Sequence, residues 1–135
     1  MPKTVLLILA VAVAVAVNLL VYAVGRAAGG TFRFTTSGEP AEVDALTVAG
    51  FSAVPLLIGL TAVALLGPWA ARTALVLAPL LALATIPLLT LPADFDTVST
   101  VTLALCHLTL VPFAVAAIRA LAPLPRRVRL TEPAD

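Results

Sequence analysis

The side chains able to do chemistry in this chain are few, and most fall in one apolar stretch. Ser99, Thr100, Thr102, Cys106, His107 and Thr109 lie between residues 98 and 121; Asn18, Ser52, Thr61 and Thr85 are scattered through three other apolar stretches. His107 is the single histidine. An ionisable side chain inside a membrane-spanning segment is by default a functional-site hypothesis. By helical rise His107 lies about 15 Å below the start of its stretch, where it would form a polar layer with Asn18. Thr102 or Ser99 is the alternative partner for Asn18. The competing reading is a neutral imidazole that hydrogen-bonds across helices and does nothing more.

Most reaction types fail on missing groups. A small drug/proton antiporter needs a carboxylate within the membrane, and no Asp, Glu, Lys or Arg sits at the centre of any apolar stretch. Thiol redox chemistry needs two cysteines, and Cys106 is alone. Adjacent Cys106 and His107 point in different directions on a helix and are too few for a metal site. Haem ligation would need two copies of His107 facing one another across a dimer. Asp94 and Asp96 lie in a turn and read as solvated caps. Phosphate-binding loops and nucleic-acid signatures are also missing. The expectation is therefore no catalytic residue, no metal, no cofactor, no nucleic acid and no enzyme.

The elements that must position these groups are Thr4–Val24, Asp44–Leu66, Thr73–Leu91 and Val98–Leu121. A hydrocarbon core about 30 Å thick needs about 20 apolar helical residues to cross it, and each stretch comes close to that length. The chain of 135 residues is 61% hydrophobic and 11% charged. Soluble domains carry about 25% charged residues, so this chain lacks the groups to cover a water-facing surface. Lipid admits only helices or closed barrels, and runs without period-2 alternation exclude barrel strands. The fold class is all-α and transmembrane, one domain built as an up-down four-helix bundle. The first apolar run is too long for a typical secretory signal and is expected to stay as an uncleaved span. Pro55, Pro79, Pro87 and Pro112 fall inside spans and kink them. Ala45, Ala49 and Ala53, with Gly50 and Gly59 nearby, form a small-residue face that reads first as an internal packing seam and second as a dimer contact.

Basic residues orient the bundle. With both termini inside, six basic residues face the cytoplasm and two, Arg26 and Arg33, face out; the positive-inside bias favours that arrangement. Trp69 and Arg72 in the turn after span two, and Arg126, Arg127 and Arg129 in the tail (122–135), are the expected inner-leaflet anchors. The outer loop (25–43) alternates from Thr31 to Thr36 between Gly29-Gly30 and Ser37-Gly38. That pattern predicts a short strand or hairpin over the outer mouth, with Phe32 and Phe34 on one face and Arg33 opposite.

Three short motifs carry a resemblance: Asn18-Leu-Leu-Val-Tyr22, the turn from Gly67 to Arg72, and Leu105-Cys-His107-Leu. With them the chain resembles an actinobacterial family of small four-span membrane proteins of uncharacterised function. The resemblance implies four helices and carries over no activity, substrate or cofactor. The residues point to a multi-pass protein of a bacterial inner membrane, acting as a non-enzymatic accessory, scaffold or partner-binding module. Its partners would be the lipid bilayer and a second copy or another membrane protein. The alternatives are a small transporter or channel-like protein using the Asn18/His107 layer, and, lower, a haem-binding dimer through His107.

Overall fold

Four helices in the computed structural model are long and apolar enough to cross a membrane. The structure describes residues 1–122; the expected anchors Arg126, Arg127 and Arg129 lie outside the described residues. Helix α1 spans Lys3–Ala27, α2 Ala45–Leu66, α3 Pro68–Thr85 and α4 Thr97–Leu121. A π-helical turn, Ile86–Thr90, prolongs α3, and strands β1 (Arg33–Thr36) and β2 (Glu39–Glu42) form an antiparallel hairpin between α1 and α2. The protein is thus mostly helical with a small two-stranded sheet, and the loop expected to be β-like between spans one and two is a true hairpin.

Local chemistry sets the helix ends. Asp44 caps α2 by accepting the Thr47 N–H at 2.7 Å, and Asp96 caps α4 by accepting the Ser99 N–H at 2.9 Å. Carboxylates suit this place because the first helical N–H groups have no partner within the helix. α2 stops at Gly67, whose φ of 73° is open to glycine at little steric cost. Pro68 then occupies the first turn of α3, where its missing N–H costs no helical bond. The third span therefore begins at Pro68 and not at Thr73 as expected; the Gly67-to-Arg72 segment is one hinge residue followed by helix. Inside that span Pro87 cannot donate to the Leu83 carbonyl, and the Ile86 N–H takes it instead. Leu91 N–H then reaches back to the Ile86 carbonyl at 2.9 Å, which widens the last turn into π geometry.

Three apolar clusters tie the helices together. One joins Leu6 and Leu7 of α1, Leu60 and Val63 of α2, Ala71 of α3 and Ile118 of α4. A middle one joins Ala14, Leu56 and Ala114. The third, beneath the hairpin, joins Tyr22, Phe32, Val48 and Leu103. Successive helices therefore alternate in direction. α1 packs along α2 and α4, and α3 packs along α4, while α2 and α3 meet little. In the most apolar window of each helix, 33% of α4 is buried against 6% of α3. α4 is the central post and α3 an outrigger. The only buried residues of α3 are Ala70 and Ala71, next to the hinge.

The buried stripe of α2 is Val48, Ser52, Leu56, Leu60 and Val63. The expected seam of Ala45, Ala49, Ala53 and Gly59 is not that stripe. Ala45 and Gly59 are exposed, Ala49 and Ala53 half-buried, and a methyl group built on Gly50 or Gly59 would meet nothing within 4 Å. The buried stripe is the one that finds partners: Ser52 takes the Asn18 hydrogen bond, and Val48, Leu56, Leu60 and Val63 interlock with side chains of the neighbouring helices. The close approach occurs elsewhere: a Cβ on Gly25 of α1 would stand 2.6 Å from the Thr102 Cγ2 of α4.

Candidate functional site

Helical spacing sorts the polar residues of α4 into two faces. Ser99, Thr102, Cys106 and Thr109, three or four apart, turn toward α1 and the hairpin. Leu103, His107, Leu110 and Ala114, also three or four apart, line a groove that Asn18, Ser52 and Cys106 border as well. Residues at those intervals share a helix face.

The face toward α1 holds a buried polar node. Asn18 is 1% exposed. Its amide donates to the Ser52 hydroxyl of α2 at 2.8 Å, and its carbonyl oxygen accepts from the Thr109 hydroxyl of α4. The Ser52 hydroxyl passes its own proton to the Val48 carbonyl at 2.7 Å. Cys106 Sγ lies 3.8 Å from the Asn18 backbone carbonyl. One asparagine thus links three helices. Because α1 continues to Ala27, Asn18 is about 14 Å from its end by helical rise, deeper than a span ending at Val24 implies. The expected partners are elsewhere: Thr102 bonds the Val98 carbonyl at 2.7 Å and Ser99 belongs to the hairpin cap. Nor does His107 bond Asn18, because one residue of helical advance turns it about 100° away from Cys106.

His107 lines a groove between α2 and α3 with a volume of about 850 Å³. The groove runs from Thr47 to Leu66 along α2 and from Trp69 to Leu89 along the third span, with Leu103, His107, Leu110, Ala114 and Ile118 as its floor. By helical rise the α2 wall is about 28 Å tall, close to the thickness of a hydrocarbon core. None of the described residues that line it is charged. His107 Nδ1 stands 2.7 Å from the Leu103 carbonyl. A carbonyl only accepts, so the proton sits on Nδ1 and the Nε2 lone pair is left open. Trp69 is 71% exposed at the hinge end of this groove, and Arg72 is exposed nearby. Among the described residues no three His, Cys, Asp or Glu side chains gather as a metal site.

Over the other end sits the hairpin. Ser37 and Gly38 have φ of 52° and 81°, the type I′ geometry that matches strand twist. Phe32 precedes the strand at φ 56°, a backbone region that disfavours bulky residues. Burial offsets that strain: Phe32 is fully buried, its ring centroid 4.6 Å from that of Tyr22. Its N–H donates to Ser99 Oγ at 2.8 Å. Phe32 therefore enters the bundle top, and Phe34 packs on Phe95 at 5.0 Å. Arg26 joins Thr31 O at 3.0 Å and Glu42 Oε1 at 2.8 Å.

Asp94 and Asp96 do more than cap a turn. Asp96 Oδ2 accepts from the Thr31 N–H at 3.0 Å, the Thr31 hydroxyl at 2.7 Å and the Ser99 hydroxyl at 2.6 Å. Asp94 accepts from the Thr35 N–H and hydroxyl at 2.7 and 2.8 Å. The Ser99 hydroxyl and N–H, then Thr31, hold the Asp96 carboxyl far below the usual carboxylate range. Thr35 does the same to Asp94, its N–H first. Sequence reading took the aspartates one helix at a time; the usable signal was a pair of threonines four apart in the loop matching a pair of aspartates two apart in the turn.

A model described as a family of unknown function (DUF6069) matches residues 2–129, nearly the whole length, and the chain belongs to that family. No curated protein and no solved structure matches it.

Proposed function

We propose that this family member is a non-enzymatic module of a bacterial plasma membrane that receives an apolar partner, dissolved in the bilayer, in the groove between α2 and α3. The observation that carries the reading is the groove: it is as tall as the membrane is thick, uncharged, and open although a single residue joins its two walls. Elongated apolar pockets of 300–1,000 Å³ are the size class of small lipid-soluble ligands. An apolar cavity stays dry in water, so in a membrane the natural occupant comes from the lipid side. Both termini lie in the cytoplasm with the hairpin outside, a placement supported by the basic residues at Lys3, Arg72 and Arg119 and the acidic ones at Glu39, Glu42 and Asp94. Trp69 and Arg72 then lie at the inner surface, where indole and guanidinium groups are favoured.

A photoreactive residue in place of Leu77, which lines the groove, tests the reading in native membranes. Crosslinking to a small lipid-extractable species, absent from the same label at Leu80, is the expected result. Label at both positions alike would overturn it.

The same cavity favours a second reading, a small transporter for a lipid-soluble solute in which the Pro87 π turn lets α3 swing. Flux of an apolar solute in proteoliposomes, lost in His107→Phe, would distinguish transport from static binding.

A further inference from the structure

At mid-depth the groove has an unmet polar group. Its floor carries His107, about 15 Å from the start of α4 by helical rise. Nδ1 is committed to the Leu103 carbonyl, and in the tautomer that this bond selects Nε2 is an acceptor. No described residue donates to that nitrogen, and it is not fully buried, since among the described residues no side-chain nitrogen or oxygen is both buried and unbonded; the surface that His107 lines is the groove. The other polar groups nearby are already engaged: Asn18 with Ser52 and Thr109, Ser52 with Val48, and Thr85 with the Leu81 carbonyl at 2.6 Å. Lipid tails and aliphatic side chains have no proton to offer, so an apolar occupant alone leaves the acceptor unmet.

We propose that the α2–α3 groove selects a neutral, lipid-soluble molecule bearing a hydroxyl, which donates its hydrogen bond to His107 Nε2. This deepens the groove reading and rests on it. Neutrality follows from the described lining, which carries no charged side chain; a phospholipid headgroup would find no counter-charge among those residues at that depth. Two sources share the chemistry: the phenolic hydroxyl of a prenylated hydroquinone and the terminal hydroxyl of a long-chain isoprenoid alcohol.

The test uses the full chain in nanodiscs and four radiolabelled probes: the prenylated hydroquinone, its dimethyl ether, the isoprenoid alcohol and its methyl ether. Retention is measured against empty nanodiscs. A net hydrogen bond of about 1 kcal/mol is about fivefold in affinity. At least one hydroxyl probe is therefore expected to bind about fivefold tighter than its ether, and the pair that shows the ratio identifies the source. In His107→Phe the ratio falls to one while the ether keeps its affinity. The His107 Nε2 nitrogen resonance of the unaltered protein shifts on binding the hydroxyl probe and not the ether, which needs no variant. Equal binding of hydroxyl and ether would overturn the hydroxyl assignment and leave the groove reading standing. Retention of none of the four would sink both. A visible haem band lost in His107→Phe would also overturn the assignment, because Nε2 would then ligate iron.

Discussion

The two sides of this bundle are built on opposite plans. Beneath the hairpin, α1 and α4 touch almost backbone to backbone at Gly25 and Thr102. Two aspartates, two threonines, a serine, an arginine and a tyrosine stitch the loop to the helices, the last through the Tyr22 hydroxyl on the Val43 carbonyl at 3.1 Å. Between α2 and α3 there is no such stitching, only one hinge glycine and a wall of aliphatic side chains around a space of about 850 Å³. In lipid the hydrophobic effect does not press helices together; close packing and polar contacts do. The closed side has both, and the open side has neither, so the protein stays rigid where it is capped and accessible where it is grooved.

The sharpest break in that contrast is at Gly25. Gly25→Ala puts a methyl into Thr102 and forces α1 from α4, with an expected loss of about 2–3 kcal/mol, as for overpacked cores, read as a lower midpoint in denaturant titration in detergent. Gly50→Ala, with open space around it, is expected to keep or raise that midpoint. Equal losses at both would remove the distinction between seam and exposed face.

Asn18→Leu comes next. It leaves Ser52 and Thr109 with their backbone acceptors but unlinks three helices, for an expected loss of about 1 kcal/mol, in the range measured for polar contacts between membrane helices. The same titration checks it, and no loss would mean that the node is ornamental.

A more local effect is expected at the cap. Asp96→Ala removes the acceptor of the Thr31 and Ser99 protons, and amide exchange at Thr31, Phe32 and the capped Ser99 should quicken while amides further along the helices stay protected. Asp94→Ala should quicken Thr35 alone. Acid gives the same result without mutation. These carboxyls have folded-state values depressed below the ordinary one of about 3.9, so their contribution is complete above that pH and is lost as pH falls through the depressed values. Cap exchange rates, after correction for intrinsic chemistry, should be flat from pH 8 to about 5 and rise below about 4.

The smallest effect on stability is expected in the groove. Ala82→Phe, on the groove wall and outside the three apolar clusters, should leave the denaturation midpoint within about 0.5 kcal/mol, the usual range for sites outside the core, while reducing retention of any groove ligand. A large destabilisation would show that the space is part of the packed core.

Much of this arrangement was legible in the chain. Span existence follows from length and missing charge, a strand ending at Ser37-Gly38 from the alternation of Thr31–Thr36, and an N-cap at Asp96 or Thr97 from the turn before span four; the second strand, Glu39–Glu42, carries no such signal. What escaped was azimuth and depth. His107 and Asn18 were paired by estimated depth, yet counting by three and four from Ser99 already separates Cys106 and Thr109 from His107. The small-residue face of α2 was taken for the seam because small residues pack closely in lipid, but that rule needs a partner surface, and the partner lay along Val48 and Ser52. Span three began five residues early because Pro68 was read as a terminator, when it equally opens a helix.

Composition alone settled the medium: with so few charges, 135 residues have no way to dress for water, and the backbone in oil must be helical. Only tertiary structure decided which helix faces meet. Side-chain identity sets what a face is able to do, but the choice between seam and groove depends on how four rods lean, and that is governed by a glycine clash on one side, a single-residue hinge on the other, and polar groups that find partners far away in sequence.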